Sequence, residues 1–310
     1  MEILLGVTIR PPWRADTLLA QTAFQSYTIQ TMEQLKSQFI LINKPIGWTS
    51  FDVVAYVRQR IHKQCHPKFI SGSLISPGEV LKQACLPGRQ VQPDKKRLRV
   101  GHAGTLDPFA TGLLIVGVGR DATKRLDEFK NLPKTYVATI HLGAVSDTGD
   151  ITGQITPTLQ HLNSTTQKQY NNIAKEQFNN LTAPTRTQIE SIMSSFIGRQ
   201  LQIPPMYSAK SVGGQRLYKL ARQGKVVERE PSEIEIFAIK LLNYAYPLLK
   251  IEVSCSSGTY IRTLAEDIGE KLGVGAYCEE LVRTKIGNFD VREAYSLDNM
   301  EWLDEFKINE

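Results

Sequence analysis

Apolar positions recur at helical spacing in three places along the chain. Val53, Val54, Val57 and Ile61 form one stripe, preceded by Thr49 and Ser50, either of which fits a helix cap. Ile189, Ile192, Met193, Phe196 and Ile197 form a second, after a capping box of Thr187 with Glu190 and before a stop at Gly198. Ile261, Leu264, Ala265, Ile268 and Leu272 form a third, closed by Gly273. Elsewhere the period is two. Tyr136, Ala138, Ile140 and Leu142 alternate with Val137, Thr139 and His141, and Leu249, Ile251, Val253 and Cys255 alternate with Lys250, Glu252 and Ser254. The short apolar runs 39–43 and 113–118 read as buried strands. Helices and strands mix without a βαβ period or an internal repeat. That predicts an α+β fold built on a mixed, mainly antiparallel central sheet flanked by helices and loops.

Three stretches break the pattern. Residues 1–38 lack periodicity, contain Pro11 and Pro12, and read as an N-terminal extension open to disorder. Residues 63–99 are rich in Gly, Pro and Ser and end in the basic run Lys95, Lys96, Arg97 and Arg99. Residues 156–186 are heavy in Asn, Gln and Thr. Both read as insertions in one domain spanning 39–295, and 296–310 as a C-terminal tail.

Composition narrows the class. The chain has 310 residues, 41% apolar and 22% charged, the profile of a folded globular protein. Its net charge of +6 favours a polyanionic partner such as nucleic acid. No apolar run approaches the roughly 18 residues of a membrane span. Residues 3–9 are too short and lack the basic flank of a signal peptide. Residues 1–38 balance Arg10, Arg14 and Lys36 against Glu2, Asp16 and Glu33, unlike acid-poor transit peptides. These features predict a cytoplasmic protein. Cys65, Cys85, Cys255 and Cys278 are scattered without a CxxC pair, as expected of free thiols in a reducing compartment. His62, Cys65, His66 and Cys85 lack regular metal-ligand spacing and read as loop residues.

The segment Gly101-His102-Ala103-Gly104-Thr105-Leu106-Asp107-Pro108-Phe109-Ala110-Thr111-Gly112 stands out. Its glycines allow a tight backbone and close approach by a ligand, and Pro108 pushes Asp107 toward extended backbone. By spacing alone Asp107 fits an ordinary Asp-Pro turn, and His102 a surface histidine. The whole string, with Ala122-Thr123-Lys124 after it, closely resembles the signature of the TruB family of tRNA pseudouridine synthases. The resemblance continues in family order from about residue 39 to 295. Asn43-Lys44-Pro45-Ile46-Gly47-Trp48-Thr49-Ser50 resembles the opening motif. Lys134-Thr135-Tyr136, Leu142-Gly143 and Asp147-Thr148 resemble the tyrosine segment. Gln202-Ile203-Pro204-Pro205-Met206-Tyr207-Ser208-Ala209 and Leu217-Tyr218-Lys219-Leu220-Ala221-Arg222 resemble the region after the thumb loop. Cys255 to Ala265, containing Gly258-Thr259-Tyr260-Ile261-Arg262-Thr263, resembles the third motif.

The resemblance implies a pseudouridine synthase fold and an isomerase that acts on uridine 55 in the T-loop of tRNA. It works through a covalent aspartate adduct with a flipped-out base, needs no cofactor or metal, and acts as a monomer with no obligate protein partner or membrane. It assigns Asp107 as the attacking carboxylate and Arg262 as its ion-pair partner. Tyr136 would stack on the base and assist proton removal from C5. Tyr260 and Leu281 would line the pocket, and His102 would occupy space beside the flipped nucleotide. Lys95, Lys96, Arg97, Arg99, Lys210, Arg216, Lys219, Arg222 and Lys225 are candidate contacts to the RNA backbone.

There are departures. Ser257 and Val282 stand where the family often carries lysine and arginine, both insertions are long, and the tail leaves no room for a complete C-terminal PUA module. Two other readings compete. One is a silent RNA-binding protein that kept the fold, which the joint presence of Asp107, Tyr136 and Arg262 opposes. The other is a metal-dependent hydrolase using His102, Asp107 and His141, which no metal-ligand spacing supports.

Overall fold

The structure, a computed structural model, describes residues 39–65, 98–158, 183–208, 210–212, 214–225 and 227–299. The N-terminal extension, most of both insertions, Lys95, Lys96 and Arg97, and residues 300–310 lie outside them.

Strand β1 (Phe39–Lys44) leads through a turn to helix α1 (Ser50–Cys65). Thr49 is the cap: its N–H donates to Asp52 Oδ2 at 2.8 Å, and its hydroxyl accepts from the Asp52 N–H at 3.1 Å. Ser50 instead turns inward. The helix runs past residue 63, so the first insertion begins later than its composition suggests. Next come β2 (Val100–Ala103), β3 (Thr111–Val118), α2 (Arg120–Lys130), β4 (Lys134–Leu142), β5 (Ala144–Ser146) and β6 (Ile155–Pro157).

Helix α3 (Arg186–Ser194) is capped by Thr185 with Gln188 rather than by Thr187 with Glu190. Both pairs satisfy the same spacing rule. Thr185, directly after Pro184, has extended backbone with ψ 154°, so the helix begins there and Thr187 is already inside it. Glu190 pairs with Arg186 at 2.8 Å instead. Then follow β7 (Gly198–Gln202), β8 (Ser211–Val212), β9 (Gln215–Arg216), α4 (Leu217–Arg222), β10 (Ser232–Ala245), β11 (Leu248–Cys255), α5 (Ile261–Lys271), β12 (Ala276–Ile286), β13 (Phe289–Asp290) and β14 (Tyr295–Ser296).

The main sheet has the order β14-β1-β3-β12-β4-β11-β10-β7, with β2 beside β3 and β13 beside β12. Only the pairs β14–β1 and β3–β12 are parallel, so the α+β, mainly antiparallel expectation holds. The two halves of this sheet meet narrowly. β3 pairs with β12 only at Thr111 and Gly112, and with β2 from Ile115 to Val118. The loop 104–110 therefore springs from the seam where two strands divide one edge of β3. Gly112 is required there: its φ is +105°, and a Cβ would sit 2.3 Å from the carbonyl oxygen of Arg283.

Both faces of the seam are covered. Leu114, Val116 and Val118 pack with Ile40 and Ile42 against the stripe Val53, Val54, Val57 and Ile61 of α1. Leu113 and Ile115 face the other way, onto Ala122, Leu126 and Phe129 of α2. A strand buried on both faces reads as an unbroken apolar run, which is why 113–118 shows no alternation. The largest cluster joins β4, β11 and β12 to α3 and α5, and it takes in Leu106, Phe109 and Ala110 from the loop.

Candidate active site

Asp107 projects from a loop whose neighbours are anchored in the core. Leu106, Phe109 and Ala110 are buried, whereas the Asp107 side chain is 33% exposed. Burying a Leu or Phe side chain contributes about 1.5–3 kcal/mol, so these flanks hold the carboxylate at a fixed height. Ser50 of α1 adds two hydrogen bonds to Leu106, accepting from its N–H at 2.8 Å and donating to its carbonyl at 3.2 Å. Lys44 is fully buried, and its ammonium donates to Pro45 O (2.9 Å), Trp48 O (2.7 Å) and Pro108 O (3.4 Å). It ties the turn after β1 to the loop. Desolvation lowers its pKa to about 8 against the pull of Asp107, so it remains mostly cationic at neutral pH.

Arg262, 3% exposed in the first turn of α5, faces Asp107 through Nε at 2.9 Å from Oδ2. Its Nη1 donates to Thr148 O (2.8 Å) and Asp150 Oδ2 (3.2 Å), and its Nη2 to Tyr207 O (2.8 Å). Asp150 is buried, and its Oδ1 accepts from Thr148 Oγ1 (3.0 Å), the Thr152 N–H (2.9 Å) and the Thr152 hydroxyl. One guanidinium thus spans two carboxylates and two carbonyls, a planar fork that only arginine provides. The pairing of Asp107 with Arg262 follows the expectation. Burial nonetheless dominates its electrostatics, and the Asp107 pKa is raised even though Arg262 and Lys44 oppose the shift, with Asp150 adding repulsion.

Tyr136 on β4 is buried, and burial raises its pKa. The nearby charge of Arg283 opposes that shift. Arg283 is 1% exposed, and its Nε and Nη2 donate to Leu113 O (2.8 Å) and Gly104 O (3.0 Å), filling the seam between β2 and β12. It ties both ends of the Asp107 loop together beside Tyr136. Leu281 lies in the same core cluster as Tyr136 and Leu106. Tyr260 caps α5, and Gln202 clamps its backbone both ways, at 2.8 Å from its N–H and 3.0 Å to its carbonyl. The charges of Asp107 and Arg262 both reach its phenol. His102 on β2 is half-buried, and desolvation with the nearby Arg283 and Lys130 charges lowers its pKa to about 4. It is a neutral ring at physiological pH, suited to stacking.

Three site residues are not evident from the sequence. Lys44 lies inside the opening motif, Asp150 two residues beyond Thr148, and Arg283 two beyond Leu281. The signal for Arg283 is a cation at an inward position of a strand. His141 stays apart, since its ring stacks on Tyr277 with centroids 5.1 Å apart. It lies five positions along β4 from Tyr136, roughly 16 Å at strand rise. Among the described residues no three His, Cys, Asp or Glu side chains converge. Of the basic candidates, Arg99, Lys210, Arg216, Lys219 and Lys225 are exposed, Arg99 at the head of β2 and the others around β8, β9 and α4.

Asp150 gives a two-sided prediction. Asp150→Asn removes one of the two anions that hold Arg262, so turnover falls, by roughly ten- to a hundredfold for a misplaced catalytic group. It also removes repulsion that raises the Asp107 pKa. The acid limb of log kcat/KM against pH, set in the parent above the ordinary aspartate range, therefore moves to lower pH. Glu266, one turn along α5 and raised to about 7 by burial, is the other nearby carboxyl. Because Asp150 raises the Glu266 pKa too, the deciding variant is Glu266→Gln: a limb that disappears there would assign the titration to Glu266.

Residues 93–180 and 160–261 match the TruB family pseudouridylate synthase N-terminal domain, and residues 262–306 match the tRNA pseudouridylate synthase B C-terminal domain. The chain is 38% identical over 275 residues to tRNA pseudouridine synthase B of Bacteroides fragilis, an alignment covering 87% of this chain and 95% of that one. It is 36% identical over 278 residues to the Phocaeicola vulgatus protein of the same name, covering 89% and 97%. With that of Dehalococcoides mccartyi it shares 39% over 262 residues, covering 84% and 68%. Among solved structures, a Cbf5-Nop10-Gar1 complex superposes with a TM-score of 0.54 at 23% identity, covering 88% of this chain. An archaeal box H/ACA sRNP Nop10-Cbf5 complex gives 0.50 at 21%, covering 90%. This chain spans 55% and 56% of those two chains, and the likeness is one of fold.

Proposed function

The chain belongs to the TruB family of pseudouridylate synthases, and on that premise we propose that it isomerises uridine to pseudouridine in tRNA, at uridine 55 of the T-loop. The observation that carries the reading is a single carboxylate, Asp107, presented at the seam of the sheet and ion-paired to a buried arginine at 2.9 Å. Isomerisation breaks the N1–C1′ bond, turns the base and forms a C5–C1′ bond. The proton on C5 leaves and N1 gains one, so no electrons or groups are exchanged with a second reactant. A carboxylate nucleophile divides that change into two easier steps. Arg262 favours the ionised form of Asp107 against burial and aims it. Tyr136 offers its ring to the base. Burial makes it a neutral phenol at rest; it can pass its proton to N1 and then, as a phenolate beside the Arg283 cation, take up the C5 proton, which restores the phenol.

The target lies in a folded RNA loop, so the uridine is extruded into the site, with the neutral His102 filling space beside it. The enzyme acts on tRNA without an obligate protein partner. No helix among the described residues is long and apolar enough to cross a membrane, and the cytoplasm, where tRNA resides, is the proposed compartment.

The deciding experiment is chemical mapping of pseudouridine in total tRNA after deleting and restoring the gene, alongside reaction of the purified chain with an unmodified tRNA transcript. Pseudouridine at position 55 that follows the gene supports the reading. Its persistence in the deletion strain, or an inert purified chain, would overturn it.

A second prediction concerns RNA grip. Replacing Lys95, Lys96, Arg97 and Arg99 together with serine weakens tRNA binding. It also flattens the log–log salt dependence by about 0.7–0.9 for each phosphate that is no longer neutralised. The single-turnover rate at saturating tRNA changes little. An unchanged salt slope in fluorescence titrations would return this run to an ordinary solvated loop.

A further inference from the structure

The most exposed large apolar side chains among the described residues are Leu201, Ile46 and Phe51, at 72%, 70% and 63%. Leu201 lies on the edge strand β7. The other two flank the Asp107 loop. Gly47, next to Ile46, donates its N–H to Pro108 O at 2.8 Å, and Ser50, next to Phe51, exchanges its two hydrogen bonds with Leu106. Asp107 lies between these two anchors, so both apolar groups are mounted on the same rigid frame as the nucleophile.

The faces of α1 give Phe51 its direction. Val53, Val54, Val57 and Ile61 point into the core. Tyr56 lies toward β14, its hydroxyl donating to Leu297 O at 3.2 Å. Arg58 lies on the opposite flank, its Nη2 donating to Val100 O of β2 at 3.2 Å. Phe51 precedes Arg58 by seven positions, two helical turns, and so shares its flank. That is the side of β2, His102 and the loop. An aromatic ring left in solvent here contributes little to folding, because burial is what makes such a side chain stabilising.

We propose that Phe51, with Ile46 beside it, is the platform on which a nucleobase adjacent to the extruded uridine stacks. The proposal rests on the reading of tRNA as the substrate. Pulling one nucleotide out of a loop uncovers the face of its neighbour, and the stacking it gave up must be recovered for the extruded state to persist. A fixed aromatic face recovers roughly ten- to a hundredfold in affinity per base, whatever the base. The exposed Arg99 at the head of β2 supplies the charge that accompanies such platforms on single-stranded RNA. Leu201 has no comparable link to the loop.

The test uses the full chain and a T-arm stem-loop carrying 2-aminopurine, in separate oligonucleotides, on either side of the target uridine. Binding to the parent protein quenches the emission of one of the two probes. Phe51→Ala abolishes that quenching, raises KM and the dissociation constant roughly tenfold, and lowers kcat far less. Phe51→Trp restores both signals and Phe51→Leu does not, since leucine keeps the apolar bulk without the flat face. Melting curves of the variants match the parent, because the ring is in solvent. Binding by Phe51→Ala within twofold of the parent, or full rescue by leucine, would overturn the proposal while leaving the enzyme reading intact. If the parent makes no pseudouridine in tRNA, the reading beneath the proposal fails and takes it along.

Discussion

Asp107→Asn loses turnover by roughly four orders of magnitude or more, the scale seen when a nucleophile is removed from a site that otherwise still binds. The change is nearly isosteric, so Leu106, Phe109 and Ala110 still seat the loop in the core. The amide cannot attack carbon, and its charge no longer balances Arg262. Because the parent carboxylate resists ionisation through burial, the neutral side chain is well tolerated by the fold, and tRNA binding persists. Quantitative mapping of product in a single-turnover assay, with binding measured on the same preparation, checks both halves. Isomerisation at a tenth of the parental rate by a clean preparation would remove Asp107 from the chemistry.

Arg262→Lys is the second large effect. The guanidinium meets Asp107, Asp150, Thr148 O and Tyr207 O along diverging directions, at 2.9, 3.2, 2.8 and 2.8 Å. A lysine ammonium has three donors on one atom and cannot span that set, so at least one carboxylate loses its cationic partner. Breaking one side of a buried ion pair costs about 3–5 kcal/mol, and the retained charge recovers part of it. The melting temperature therefore falls. Turnover falls about a hundredfold as Asp107 loses its orientation. Binding of tRNA, assigned by the proposal to surface cations, changes much less. Equal kcat in variant and parent would show that the Asp107–Arg262 geometry is not catalytic. A lowered melting temperature with unchanged kcat would leave Arg262 a purely structural residue.

What is legible along the chain depends on local physics. The stripes of α1, α3 and α5 stand out because a helix against a core repeats its apolar face every three to four residues. β4 and β11 stand out because they are regular strands that alternate by two. The loop around Asp107 is legible as an Asp-Pro turn, and its chemistry only through resemblance to a known family.

The two longest strands are not legible. β10 carries register shifts between Ile236 and Ala238 and between Leu241 and Asn243, and β12 between Cys278 and Glu280 and between Arg283 and Lys285. Each bulge adds a residue and flips the alternation, which erases the period-two signal. Because β12 is not visible as a strand, neither is Arg283 as the cation that closes the seam with β3 beside Tyr136.

By itself, then, the sequence determined the helical faces, the regular strands and the α+β class, and through resemblance to a family it proposed Asp107, Tyr136 and Arg262 as a set. Only the tertiary structure decided how they meet. Asp107, Asp150 and Arg262 lie on a loop, a turn and a helix far apart in the chain. Nothing local to any of them encodes that one guanidinium serves both carboxylates. Nor could charge pairing alone predict that Asp107 is harder to ionise than a free aspartate. That sign depends on how much water the fold removes, and burial is a property of the packed chain.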